Sequence, residues 1–120
     1  MKFKMVHENY NVANLETSMA FYEKALGLHE VSRKNGDGFI LVYMGNDESP
    51  FELELTWLEE HPQAYDLGEC EFHLAFKTDD YEAAHKYSSQ KYDWEKAIFS
   101  FNETDNIDCF IHCKCFLLPS

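Results

Sequence analysis

Basic residues are scarce in this chain: ten Lys and Arg stand against 22 Asp and Glu, a formal net charge of -12 at pH 7 with His neutral. Such a chain cannot present the clustered cations that nucleic-acid phosphates require. An anionic membrane surface would repel it as well. Long apolar runs are also missing, so no transmembrane helix is expected. The opening Met1-Lys2-Phe3-Lys4-Met5-Val6-His7 lacks the apolar stretch of a signal peptide. The expectation is a cytoplasmic protein. No GxSxG, P-loop or GxGxxG occurs, which removes the familiar signatures of serine hydrolases, nucleotide hydrolases and dinucleotide enzymes. Cysteine is limited to Cys70, Cys109, Cys113 and Cys115. In a reducing cytoplasm these are free thiols. The run CFIHCKC at 109–115 could take a soft metal with help from His112, but its spacing matches no common zinc pattern.

What is present points to a folded domain. The 120 residues are 45% hydrophobic and 16% aromatic, enough to build a core, and the length predicts one domain over 1–120. Residues 5–12 read as a strand. Asn14 is a helix N-cap, and Leu15, Met19, Tyr22 and Leu26 recur at helical spacing up to Gly27, a natural stop. The pattern therefore predicts a helix over 15–26. A strand over 28–33 is followed by the turn signal Asn35-Gly36-Asp37-Gly38, a strand over Phe39 to Met44, and a second turn at Gly45-Asn46-Asp47. Phe51 to Trp57 alternates cleanly, a polar loop runs through Gly68, and 71–77 alternates again. Asp79, with Glu82 three residues later, predicts a capping box for a second helix reaching about residue 90. Beyond it, Ala97 to Phe101 and Cys109 to Leu118 are candidate strands, with 102–108 as a loop.

One regularity spans half the chain. His7 stands seven residues before Asn14-Leu15-Glu16, and His73 stands seven residues before Asp80-Tyr81-Glu82. Both copies read as strand then helix. This predicts an α+β fold of paired βαβββ modules, module one over 1–68 and module two over 69–120.

Strand periodicity then sorts side chains by face. Phe51, Leu53, Leu55 and Trp57 lie opposite Glu52, Glu54 and Thr56. Phe72, Leu74 and Phe76 lie opposite His73, Ala75 and Lys77. Val6, Tyr10 and Val12 lie opposite His7, Asn9 and Asn11. The apolar faces are expected under helices. If the strands form one curved sheet, His7, Glu54 and His73 point into one polar cavity. Two imidazoles and a carboxylate suit Zn²⁺, Ni²⁺, Co²⁺ or Fe²⁺.

The stretches HENYNVANLETSMAFYEKALGL, FELELTWLEE and YDLGECEFHLAFKTDDYEAAHK, from residue 5 to about 86, resemble the glyoxalase I (lactoylglutathione lyase) family of the vicinal-oxygen-chelate superfamily. The motifs are a first-strand His, N-[LM]-x-x-S-x-x-FY-x-x-x-LG, E-L-T and a second-module His. The resemblance implies the glyoxalase/bleomycin resistance/dioxygenase fold. It also implies a divalent metal (Ni, Co or Zn) held by His7, Glu54 and His73, with Glu54 as ligand and catalytic carboxylate. The implied reaction converts a methylglyoxal–thiol hemithioacetal to an S-lactoyl thioester, a small-molecule reaction in a homodimer, with no nucleic-acid or membrane partner.

The chain departs from the family in three places. The tail pattern D-P-D-G-[YW]-x-x-E, whose Glu is the fourth ligand, is absent. The chain diverges after about residue 87, which makes the second module incomplete. Asn11 stands where many glutathione-using members have Arg, and Leu58 where many have Asn. The alternatives are a non-catalytic small-molecule-binding member, an Fe(II) extradiol-type dioxygenase, or a fragment that does not fold alone.

Overall fold

A computed structural model describes residues 1–69, 73–80, 82–84, 86, 97–102 and 106–112, with side chains at 1–69, 74–80, 82–84 and 86. Two compact units emerge, one built on Met1–Asp66 and the other on Leu67–Lys114.

In the first unit a strand, β1 (His7–Asn11), leads into a helix, α1 (Leu15–Leu26), and then into β2 (His29–Gly36), β3 (Phe39–Asn46) and β4 (Ser49–Leu58). The four strands form one sheet in the order β1-β4-β3-β2. β1 runs parallel to β4, and the remaining pairs are antiparallel. This is a complete βαβββ module. The helix starts where the Asn14 side chain accepts from the Thr17 amide at 3.0 Å and the Asn14 carbonyl accepts from Ser18 at 3.1 Å. It ends at Gly27, whose φ of 66° places it in the left-handed region, with its amide bonded to the Glu23 carbonyl.

The core lies between α1 and one face of the sheet. Tyr10, Val12, Val42, Met44, Leu53 and Leu55 are buried from the strands, and Leu15, Ser18, Tyr22 and Leu28 from the helix and its exit. The strand partition follows the predicted alternation except at Val6, which is exposed, while Phe72 lies outside the described residues. On α1 the buried positions are Leu15, Ser18 and Tyr22 rather than the whole predicted stripe, and Met19 and Leu26 are half-buried. Met19 instead lies at the helix edge, where its Sδ accepts from Arg33 Nη2 at 3.5 Å.

Turns fall close to their signals, with small shifts. β2 continues through Asn35 and Gly36, so the turn is Asp37-Gly38, with Gly38 at φ 77°. β3 continues through Gly45 and Asn46, and the next turn sits at Asp47-Glu48. Pairing carries these strands past their signals: Gly36 faces Phe39 and Asn46 faces Ser49 in the ladders.

The second unit contains β5 (His73–Thr78), β6 (Ala97–Asn102) and β7 (Asn106–His112), ordered β5-β7-β6 with antiparallel pairs throughout. Residues 82–84 and 86 are helical. The cap differs from the predicted Asp79: Asp80 Oδ1 accepts from Ala83 at 2.9 Å and the Asp80 carbonyl accepts from Ala84 at 3.0 Å. A side-chain cap accepts from an amide two or three residues further on, and the Asp80 carboxylate does so at Ala83. This reproduces the Asn14 cap and extends the internal repeat from residue types to hydrogen bonds. The rest of the predicted helix toward residue 90 lies outside the described residues, as does 113–118 of the last predicted strand.

The expected loop 102–108 is shorter, because β6 reaches Asn102 and β7 starts at Asn106, each the partner of the other. With three described strands in place of four, strand parity changes. The first module's last strand runs parallel to its first, whereas β7 runs antiparallel to β5. The second module is therefore incomplete by one strand among the described residues. Among the described residues the strands pair as two sheets, one in each unit. No helix among the described residues is long and apolar enough to cross a membrane.

Candidate metal centre

β4 is the inner strand between β1 and β3, so its outward-facing residues have neighbours on both sides. Glu54 is paired with Asn9 on β1 and Tyr43 on β3, His7 with Glu52, and Asn11 with Thr56. Partners in register point to the same side of a sheet. His7, Asn9, Asn11, Tyr43, Glu52, Glu54 and Thr56 therefore share the face opposite the helix-covered core.

The imidazole of His7 and the carboxylate of Glu54 converge diagonally across this face, Nε2 to Oε2 at 3.7 Å. Glu54 is the more enclosed, with 13% of its side chain exposed against 39% for His7. A carboxylate so enclosed needs donors, and two neighbours supply them. The Tyr43 phenol, on the register partner of Glu54 across the β3–β4 ladder, stands near enough to the Glu54 carboxylate for hydrogen bonding to it to be the main cause of the phenol's raised pKa. With its amide turned so that nitrogen faces acceptors, Asn9 donates to Glu54 Oε1 at 3.0 Å and to the Glu54 carbonyl at 3.3 Å. The Tyr43 ring also meets the His7 ring edge-on, centroids 5.6 Å apart at 75°. The bond to Glu54, partial burial, and the charges of Glu54 and Glu52 together push the Tyr43 phenol above its usual 10.0. Tyr43 thus stays a hydrogen-bond donor through neutral and mildly alkaline pH.

This arrangement adds little to stability, since half-exposed His–carboxylate pairs contribute at most about 1 kcal/mol. It does suit a cation. Imidazole nitrogen and carboxylate oxygen are donors that zinc, nickel and cobalt accept. Two such donors on one ion, each about 2.0–2.2 Å from it, stand roughly 3–3.5 Å apart. The 3.7 Å separation needs only a small side-chain adjustment to reach that range, so the pair fits one edge of a divalent coordination sphere.

Of the three sequence-predicted ligands, His7 and Glu54 come together. His73 opens β5 in the second unit, and its side chain lies outside the described residues. Among the described residues, no three His, Cys, Asp or Glu side chains cluster at metal-binding distance. The tail cysteines also fall outside the described side chains. Tyr43 was not singled out by the sequence. Its only signal was its position in an alternating strand, and the register that sets it beside Glu54 is non-local. Asn9 was placed on the right face without a role.

A sequence model of the Glyoxalase/Bleomycin resistance protein/Dioxygenase superfamily matches residues 4–106. The chain is similar to the lactoylglutathione lyase of Neisseria meningitidis serogroup A, 35% identical over an alignment of 94 residues that covers 72% of this chain and 66% of that relative. The serogroup B protein matches to the same extent. The matched segment therefore spans just under two thirds of the length of these curated relatives. Among solved structures, the trypanothione-dependent glyoxalase I of Leishmania major superposes with a TM-score of 0.66 at 20% identity, covering 91% of this chain and 85% of that one. YycE of Bacillus subtilis, a protein of unknown function, gives 0.58 at 17% identity, covering 83% and 72%. At those identities the structures share the fold. Module architecture, family match and sequence similarity all agree, and the chain belongs to the Glyoxalase/Bleomycin resistance protein/Dioxygenase superfamily.

Proposed function

We propose that the chain is a glyoxalase-I-type lyase that isomerises a methylglyoxal–thiol hemithioacetal to an S-lactoyl thioester, in the cytoplasm and as a homodimer. The observation that carries this reading is the convergence of His7 Nε2 and Glu54 Oε2 at 3.7 Å on the polar face of a complete βαβββ module. The 35% identity to lactoylglutathione lyases supports the same chemistry.

In this reading His7, Glu54 and His73 hold a divalent Ni, Co or Zn ion. When bound, the ion would polarise the substrate oxygens and offset negative charge as a carbon-bound proton leaves. Glu54 is both ligand and proton carrier: its carboxylate takes the proton from the carbon bearing sulfur and oxygen and returns it to the neighbouring carbon. No atom is lost, which is what an isomerisation requires. His7, being neutral when it binds metal, offers a lone pair from Nε2. Asn11 and Leu58, in place of the Arg and Asn of many glutathione-using members, favour a thiol other than glutathione.

The absence of the D-P-D-G-[YW]-x-x-E tail favours a second reading, a small-molecule-binding member without catalysis. An Fe(II) extradiol-type dioxygenase would use the same three ligands and would consume oxygen. Metal analysis of the purified chain, beside a hemithioacetal isomerase assay with added Ni²⁺ or Zn²⁺, separates these. The lyase reading requires about one divalent ion per chain and turnover that falls about 10²–10⁴-fold in Glu54→Gln. A chain that carries no metal and shows no turnover with intact His7, Glu54 and His73 is the binding protein. Iron with oxygen uptake identifies the dioxygenase.

A further inference from the structure

A glutamate side chain has rotamer freedom that a metal ligand must lose, and carboxylate ligands are commonly held by a second layer of hydrogen bonds. The polar face of the first unit contains such a layer. Tyr43 is the register partner of Glu54 on β3, and Asn9 is its partner on β1. The carboxylate is thus bracketed from both adjacent strands. Tyr43 alone also touches the other donor, through the edge-on contact of its ring with His7 at 5.6 Å. Tyr43 thus faces both members of the pair, Glu54 as its register partner with the phenol beside the carboxylate, and His7 through the edge of its ring.

We propose that Tyr43 is a positioning residue that fixes the His7–Glu54 geometry for metal binding, with its hydroxyl orienting the Glu54 carboxylate and its ring bracing the imidazole. The proposal rests on the reading in which His7 and Glu54 share an ion. Tyr43 does not touch substrate in this scheme. With its amide turned, Asn9 completes the bracket by donating to Glu54 Oε1 at 3.0 Å.

The test compares the full chain with Tyr43→Phe, which keeps the ring and removes the hydroxyl, and Tyr43→Leu, which removes both. Co²⁺ affinity is measured by competition with a chelator. The metal-free proteins are compared by thermal midpoint and by NMR of the Glu54 methylene groups. The expected result is a 10–100-fold loss of Co²⁺ affinity in Tyr43→Phe and a larger loss in Tyr43→Leu. The Co²⁺ visible spectrum should change and the metal-free midpoint of Tyr43→Phe should stay near wild type. In the metal-free wild type the Glu54 methylene resonances should be dispersed, and in Tyr43→Phe they should be averaged. Co²⁺ affinity in Tyr43→Phe within twofold of wild type, or Glu54 resonances equally dispersed without the hydroxyl, overturns the proposal. A wild-type chain that binds no Co²⁺ overturns the metal reading instead, and the metal-free NMR comparison then decides the role of Tyr43 by itself. Averaged Glu54 resonances in the wild type also overturn it, so the question is decided even if a variant fails to fold.

Discussion

The residue that organises the first module is Leu55, fully buried and paired with Tyr10 on one side and Val42 on the other. Its immediate neighbours Glu54 and Thr56 point to the opposite, polar face. One strand thus connects core and site with no intervening residue. Leu55→Ala is expected to cost about 2–5 kcal/mol through lost burial and an uncollapsed cavity, measured as a lower urea midpoint. The site variants should part from it: Glu54→Gln is expected to change urea stability by under about 1 kcal/mol while lowering turnover about 10²–10⁴-fold. Gly36 is a second sensitive position. A Cβ there would run into the Phe39 ring, which lies across it in the ladder. Gly36→Ala should destabilise by roughly 1–3 kcal/mol, as overpacking does, and Gly36→Ala combined with Phe39→Ala should recover part of that loss. At this scale the sequence exposed His7 and Glu54, because both are unusual residue types on an alternating strand. Tyr43 escaped notice because a tyrosine in a strand is ordinary until the strand beside it is known.

Elements show where local signals suffice. α1 begins and ends where Asn14 and Gly27 place it, since an N-cap acceptor and a left-handed glycine act within one turn of the residues they serve. Asn14→Ala is expected to cost about 1 kcal/mol, within the 0.5–2 range of lost caps, as a thermal midpoint lowered without change in metal affinity. Asp80→Ala should do the same in the second unit, because its cap repeats the Asn14 geometry. Strand ends were less legible. The turn signals at Asn35 and Gly45 lay within one or two residues of the observed turns, yet pairing between β2, β3 and β4 decided how far each strand ran. The irregularities at Val31 and Gly45 are mutual: a Cβ on Gly45 would meet Val31 Cγ2 at 3.1 Å, so the bulges in the two ladders face each other.

For the whole molecule, charge dominates. A net charge of -12 produces self-repulsion in the compact state that salt screens. Raising ionic strength from about 0.01 to 0.15 M, which shortens the Debye length from about 30 to 8 Å, should raise the thermal midpoint. A midpoint that is flat or falling across that range would show that favourable ion pairs outweigh the repulsion.

The repeat from His7 to His73 told from sequence alone that the chain is built on two related strand–helix units, because matching caps and alternation are properties of short segments. The family resemblance, not the repeat, told that the second departs from the first, since the family's closing motif is missing. Only the tertiary structure decided the β1-β4-β3-β2 order and the register that sets Asn9 and Tyr43 on either side of Glu54. It alone decided the antiparallel seating of β5 on β7. Strand pairing is a relation between segments tens of residues apart, and periodicity within a segment states which face a side chain takes but not which neighbour it meets there.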